Sequence, residues 1–264
     1  MKSNLIYSLI FIFFNLNCCL SQVSKKKVVP IKIHSIIDST YCNSNTEKYY
    51  FEFPDIFNKN EINFFNNSIT IDYLNYLDIE KKSIKPRDLI RMAIVIRKKE
   101  CNDNNNFSGL IGSDYKITFN NSNILSISMD YESLAGNINI DSYYYNFDVP
   151  NKKLLVFTDI IKENKTNELL KKCNQILKNR LDELYKENKN ELATSEIYQS
   201  LIRSSSLFKK ENLNTFSIQK NGIEYIFNYG FPNGMFPIDN NIFISYDDLK
   251  MILKEDFKKK IDIY

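Results

Sequence analysis

The sequence predicts an α+β fold, with antiparallel sheets packed against helices in two intertwined or adjacent half-domains. Three observations predict it. Short segments alternate apolar and polar residues with period two, the signature of half-buried strands. Other segments repeat apolar residues at spacings of three and four, the signature of amphipathic helices. The two kinds occur in blocks rather than in strict alternation, which separates this class from a parallel α/β fold. No repeat at a fixed period is present. The 264 residues suffice for one large domain or two small ones.

The elements follow in chain order. Val29, Ile31 and Ile33 alternate with Pro30, Lys32 and His34, a strand with one wet face. A polar loop leads to the strand YYFEF (49–53), closed by Pro54-Asp55. Ile62, Phe65, Ile69 and Tyr73 set a helix over 61–74. Pro86 suits a first helical position, with Leu89, Met92, Ala93 and Ile96 on one face, although AIVI also reads as strand. The loop CNDNNNFSG precedes a hairpin of 115–119 and 124–131 around Asn120-Asn121-Ser122-Asn123. A strand follows over 143–149. The longest helix spans 167–185, and a second helix covers 193–202. Period two then returns in a hairpin of 215–219 and 223–229, where Asn221-Gly222 is the favoured pair for a primed turn. A strand at 242–245 and a closing helix over 247–257 end the pattern.

Composition narrows the function. The chain is 43% hydrophobic and 25% charged, enough to bury a core, and its net charge of +3 lacks the concentrated basic surface that nucleic acid requires. The Lys25–27 and Lys258–260 runs read as solvated ends.

The N-terminus carries an export signal. Lys2 precedes an apolar run over 5–20, which as a helix spans roughly 24 Å, short of a hydrocarbon core. Small residues follow, with Cys19 and Ser21 at −3 and −1 if cleavage precedes Gln22, so 1–21 reads as a signal peptide. The rival is a lipoprotein signal acylated at Cys18 or Cys19, and only that version implies membrane attachment. Either way the expected compartment is periplasmic or extracellular.

Three cysteines then remain. Cys173 lies on the apolar stripe of the longest helix with Leu169, Leu170, Ile176 and Leu177, where a thiol behaves as a small hydrophobe. Cys42 and Cys101 lie in polar, Asn-rich sequence, and in an oxidising compartment they are the expected disulfide.

No catalytic centre is legible. The one histidine, His34, falls on the wet face of its strand and cannot form a two-His zinc site. No nucleophile elbow, P-loop or dinucleotide fingerprint is present, so neither metal nor cofactor is expected. Carboxylate pairs such as Asp247-Asp248 fit a helix start, and none stands out at glycosidase spacing. The aromatics offer more. In Tyr143-Tyr144-Tyr145, Tyr144 points opposite to its neighbours, and Tyr225, Phe227 and Tyr229 share one strand face. Such a face is either packed under a helix or a stacking surface for a sugar or a peptide.

The segment FSIQKNGIEYIFNYGFPNGMFPIDNNIFISYDDLKMIL (216–253) resembles the end of the extracellular domain of RsiV-type anti-sigma factors, a domain that also precedes the catalytic part of PdaC-type peptidoglycan deacetylases. FDVPNKKLLVFTDII (147–161), FEFPDI (51–56) and ILSISMDYES (124–133) resemble its earlier parts. The resemblance implies a PdaC-type N-terminal half-domain over 28–149 and an RsiV-type C-terminal half-domain over 150–257. The family's Gly-Gly-Ala-His stretch is replaced here by Ser133-Leu134-Ala135-Gly136-Asn137, so no role of that histidine carries over. Four residues before Leu5 leave no room for an anti-sigma segment, and too little chain follows Leu253 for a deacetylase domain. The resulting expectation is the outer module alone, not an enzyme. Its partner would be a lysozyme-like protein, as the resemblance implies, or a peptidoglycan fragment. The alternatives are a carboxylate-dependent glycan hydrolase and a structural surface protein.

Overall fold

A computed structural model describes residues 29–41, 48–57, 62–102, 109–135, 137–231, 236 and 238–263. The signal segment 1–21, with Cys18 and Cys19, lies outside the described residues, as does Cys42. Among the described residues no helix is long and apolar enough to cross a membrane. The fold is α+β, with a six-stranded sheet and a three-stranded antiparallel sheet, both packed with helices.

The large sheet runs β1 (Ile33–Tyr41), β2 (Lys48–Ile56), β3 (Gly109–Asn120), β4 (Ile124–Ala135), β5 (Asn137–Asp148) and β6 (Lys153–Leu154), in spatial order β1-β2-β3-β4-β5-β6. Only β2 and β3 are parallel neighbours, aligned at Phe51 and Ser113. Parallel strands need a long crossover, and α1 (Phe64–Tyr76) and α2 (Pro86–Asn102) supply it. Pleating sends Leu125, Ile127, Met129 and Tyr131 of β4, with Tyr145 and Phe147 of β5, to the face that these helices cover. Phe65, Ile69, Tyr73, Leu89, Ile90 and Ala93 fill the other side of this core. Asn63 caps α1 by accepting from the Asn66 amide at 2.9 Å, and the Asn66 side chain accepts from the Ile56 amide at 2.9 Å, joining the helix start to the end of β2.

The second core belongs to the later residues, α3 (Phe157–Ile160), α4 (Thr166–Glu187), α5 (Lys189–Leu192), α6 (Glu196–Arg203), β7 (Phe216–Ile218), β8 (Gly222–Ile226), β9 (Asn241–Ser245), α7 (Tyr246–Leu249) and α8 (Glu255–Lys260). Leu169, Cys173, Leu177, Leu181 and Leu184 form the buried stripe of α4, spaced by three and four as in the sequence. The small sheet runs β7-β8-β9, with Phe216, Ile223, Tyr225 and Ile244 in the same core.

The two cores meet across a polar layer. The second face of the large sheet presents Ser126 and Asn146, both buried. The Asn146 amide donates to the Phe216 carbonyl at 2.6 Å, and its oxygen accepts from the Ile218 amide at 3.1 Å. Ser126 donates to the same oxygen at 2.6 Å, and Thr118 and Ser217 extend the chain of hydroxyls. One asparagine thus takes the place of a strand neighbour for β7 and satisfies polar groups that would otherwise be buried unpaired.

Several sequence expectations change. β1 begins at Ile33 rather than Val29, and β2 continues through Pro54 to Ile56 because Ser35 and Ile33 pair with its last residues. The segment containing AIVI is helix, and Cys101 falls in the last turn of α2 rather than in a loop. The closing helix breaks into α7 and α8. Between them the backbone bridges Ile161 to Leu253, and the Lys254 amide donates to the Ile160 carbonyl at 2.8 Å, which removes those groups from helical bonding. Asn221-Gly222 is not a primed turn, since neither residue has positive φ. Gln219 and Gly222 close the loop as partners, so Lys220 and Asn221 are its central residues.

Candidate functional site

Strand β5 separates two clefts. The first lies on the open part of the large sheet, opposite the helices, with a volume of about 570 Å³. Tyr50, Asp114, Asp130, Glu132, Ile138 and Ile140 are among its walls. Antiparallel register sets Asp114 directly across from Asp130, which places the two carboxyls side by side on one face of the sheet. Burial and then the Asp130 charge push the Asp114 carboxyl above its usual range, against the opposing pull of Lys116. Ser142 donates to Asp130 and fixes it from β5. The Tyr50 hydroxyl donates to Glu52 at 3.1 Å. Beside these acids Ile138 and Ile140 are 55% and 66% exposed. A close carboxyl pair either shares a proton or embraces a cation, and the isoleucines offer an apolar seat next to it.

The second cleft lies between β5 and the small sheet. One stretch of about 560 Å³ adjoins another of about 380 Å³, and Asp141, Ser142 and Thr215 line both. Arg180 shapes its far wall, donating to the carbonyls of Asp239 and Asn241 at 2.8 Å and to the Asp239 carboxylate at 3.0 Å. The side chains of Asn214, Thr215, Asn240 and Asn241 line the cleft without a hydrogen bond to another described residue.

The aromatics proposed from sequence divide between surface and core. Tyr144 does point opposite to Tyr143 and Tyr145. It is half-buried in the smaller stretch of the second cleft, and burial, then the charges of Glu224 and Asp130, raise its hydroxyl pKa. Tyr229 lines the larger stretch but is itself buried in the second core. Burial raises its hydroxyl pKa, against the neighbouring Arg180. Tyr225 and Phe227 are not a stacking surface. They are buried in the second core, packed against Phe208, because Tyr225 on β8 and Phe227 just past its end both turn inward. Phe231 is the ring that sequence reasoning missed. It is half-buried in the second cleft, stacked at 6.4 Å on Tyr229, and no periodicity marks it because it follows β8 in irregular chain.

His34 is exposed. Cys173 is buried and unpaired, its thiol pushed up to about 12 by burial. Among the described residues no group of three or more His, Cys, Asp or Glu side chains is arranged to hold a metal.

No family model matches the chain, and no curated protein is similar to it in sequence. Solved structures are similar in fold. A DUF3298-family protein of Bacteroides fragilis matches with a TM-score of 0.51 and 14% identity, covering 88% of this chain and 97% of its own. A DUF3298-family protein of Pseudomonas aeruginosa matches with a TM-score of 0.53 and 10% identity, covering 86% of this chain and 96% of its own. At these identities the likeness is one of fold.

Proposed function

We propose that this chain is an exported cell-envelope binding module that works without a catalytic centre. The resemblance to the outer domain of RsiV-type and PdaC-type proteins supports it, and the shared DUF3298 fold is consistent with it. The observation that carries the reading is the first cleft, where the Asp114–Asp130 pair stands beside the exposed Ile138 and Ile140. That combination suits a basic protein surface offering a guanidinium or ammonium next to an apolar side chain, as a lysozyme-like partner would. Retention on lysozyme resin, lost in the Asp114→Asn/Asp130→Asn double variant, is the expected result. Retention on purified cell wall instead would indicate a peptidoglycan fragment as partner. Release from both would refute the reading.

Export and the Cys42–Cys101 bridge belong to the same reading. Mass spectrometry of the native protein should find an N-terminus near Gln22 or an acylated Cys18 or Cys19. Non-reducing peptide mapping should join Cys42 to Cys101 and leave Cys173 as a thiol. An intact Met1, or a bridge to Cys173, would contradict this part.

A further inference from the structure

We infer that the second cleft, between β5 and the small sheet, is a binding site for a short neutral glycan. The inference rests on the binding-module reading and names a ligand class for a surface separate from the carboxylate cleft. Three features point to it. The first is the supply of hydrogen-bonding groups. Asn214, Asn240 and Asn241 each offer an amide donor and a carbonyl acceptor, Thr215 offers a hydroxyl, and none of these groups is bonded to another described residue. A polyhydroxylated ligand needs this mixture, because each sugar hydroxyl both donates and accepts.

The second feature is charge. The two acids in the cleft already have partners. Asp141 accepts from the Tyr76 hydroxyl at 2.8 Å, and Asp239 accepts from Arg180 at 3.0 Å. Among the described residues no lysine lines either stretch, and the acids present are held by their own neighbours. The third feature is the apolar element. Phe231 is half-buried, backed by Tyr229 at 6.4 Å and by Phe236 at 5.0 Å, which hold its ring in place for the C–H face of a sugar. At the other end Tyr144 lines the smaller stretch. The two stretches join at Asp141, Ser142 and Thr215, which gives a trough suited to linked rings rather than to one isolated ring.

The groups come from both sides of the polar layer, Asp141 and Ser142 from the large sheet, Asn240 and Phe231 from the loops of the small one and Asn241 from the start of β9. Arg180 holds the Asp239–Asn241 backbone through two carbonyls. The amides at 240 and 241 are therefore presented on fixed chain.

The test is calorimetric titration of the exported chain with chitotetraose and with cellotetraose, each at up to 10 mM. The wild type should bind at least one of them saturably. Asn240→Ala/Asn241→Ala should weaken that binding at least tenfold, and Phe231→Ala should do the same. Circular dichroism checks that each variant is folded, and the exposed asparagines make the double variant the safer of the two. No saturation with either sugar, or saturation that the folded double variant retains, would overturn the inference. Loss of glycan binding with lysozyme retention intact would sink this site alone, whereas the converse would sink the protein-partner reading alone.

Discussion

Lys260 fastens the last helix to the large sheet through both ends of its own residue. Its ammonium binds the Asp148 carboxylate, whose side chain is 1% exposed, and its carbonyl accepts from the Asn121 amide at 2.8 Å. The β3–β4 turn, the end of β5 and the end of α8 are thereby tied at one point. Burial raises the Asp148 pKa, but hydrogen bonds from Lys260 and Asn151 outweigh it and leave the carboxyl below its usual range.

Lys260→Met should therefore destabilise by about 2–3 kcal/mol at neutral pH, since it strands a buried carboxylate. The sign with pH follows from the depressed pKa. The contribution is fully present above the unfolded carboxyl pKa and is lost as pH falls through the folded one. Urea unfolding of wild type and variant should show a gap at pH 7 that closes on acidification below about pH 4. A gap that persists unchanged in acid would mean the pair is not its source.

Asn146 should be the most sensitive polar residue between the two cores. Asn146→Leu keeps most of the volume but leaves the Phe216 carbonyl, the Ile218 amide and the Ser126 hydroxyl without their partner. Stranding buried groups of this kind costs about 3 kcal/mol in all, partly relieved by Ser126, which also accepts from Ile218 at 3.2 Å. Hydrogen exchange at the Ile218 amide should accelerate in the variant, while exchange at Ile127, inside the other core, should change less.

Gly222 is required by close approach rather than by its backbone angles. A Cβ placed on it would sit 2.3 Å from the Ile244 carbonyl oxygen and 2.7 Å from the Phe243 ring. The ring can turn away, but the carbonyl belongs to β9 and is held by the Ile223–Ile244 pairing. Gly222→Ala should destabilise by about 3 kcal/mol or more, visible as a fall in thermal midpoint. An unchanged midpoint would show that β9 shifts at little cost.

These residues show what the sequence could reveal. Local signals were reliable where one face of an element meets one core. The α4 stripe through Cys173, the alternation at Tyr143–Tyr145 and the turn at Asn120–Asn123 all read correctly because spacing alone places them. The failures come from long-range contacts. Ser126 and Asn146 have the pattern of a wet strand face, yet β7 covers them from 70 or more residues away. The segment 250–254 has the composition of a helix and is drawn out of it by the bridge to Ile161. Asn221-Gly222 carries the turn signal, but the register set by Ile218 and Ile223 moves the turn one residue back. Both clefts are assembled from segments distant in the chain, so neither was legible, although Tyr144 and Tyr229 each mark part of the second.

Asp114 gives a prediction of the opposite sign to Lys260. Its folded pKa is raised, first by burial and then by the facing Asp130. An acid whose pKa is raised holds its proton more tightly in the folded chain than in the unfolded one. Stability linked to this group is thus fully present below the unfolded pKa and is lost as pH rises through the folded pKa. At neutral pH the ionised pair opposes folding. Asp114→Asn removes that charge and keeps an amide able to donate to Asp130, so the variant should be more stable than the wild type at pH 7. Because Asp114 is largely solvent-exposed, screening limits the gain to about 0.5 kcal/mol, a rise of about 1–2 °C in the thermal midpoint. The advantage should shrink toward pH 4, where the wild-type carboxyl takes up its proton. Thermal scans of both proteins from pH 4 to 8 check this, and a variant less stable at pH 7 would show that the carboxyl pair is held by a favourable contact rather than by strain.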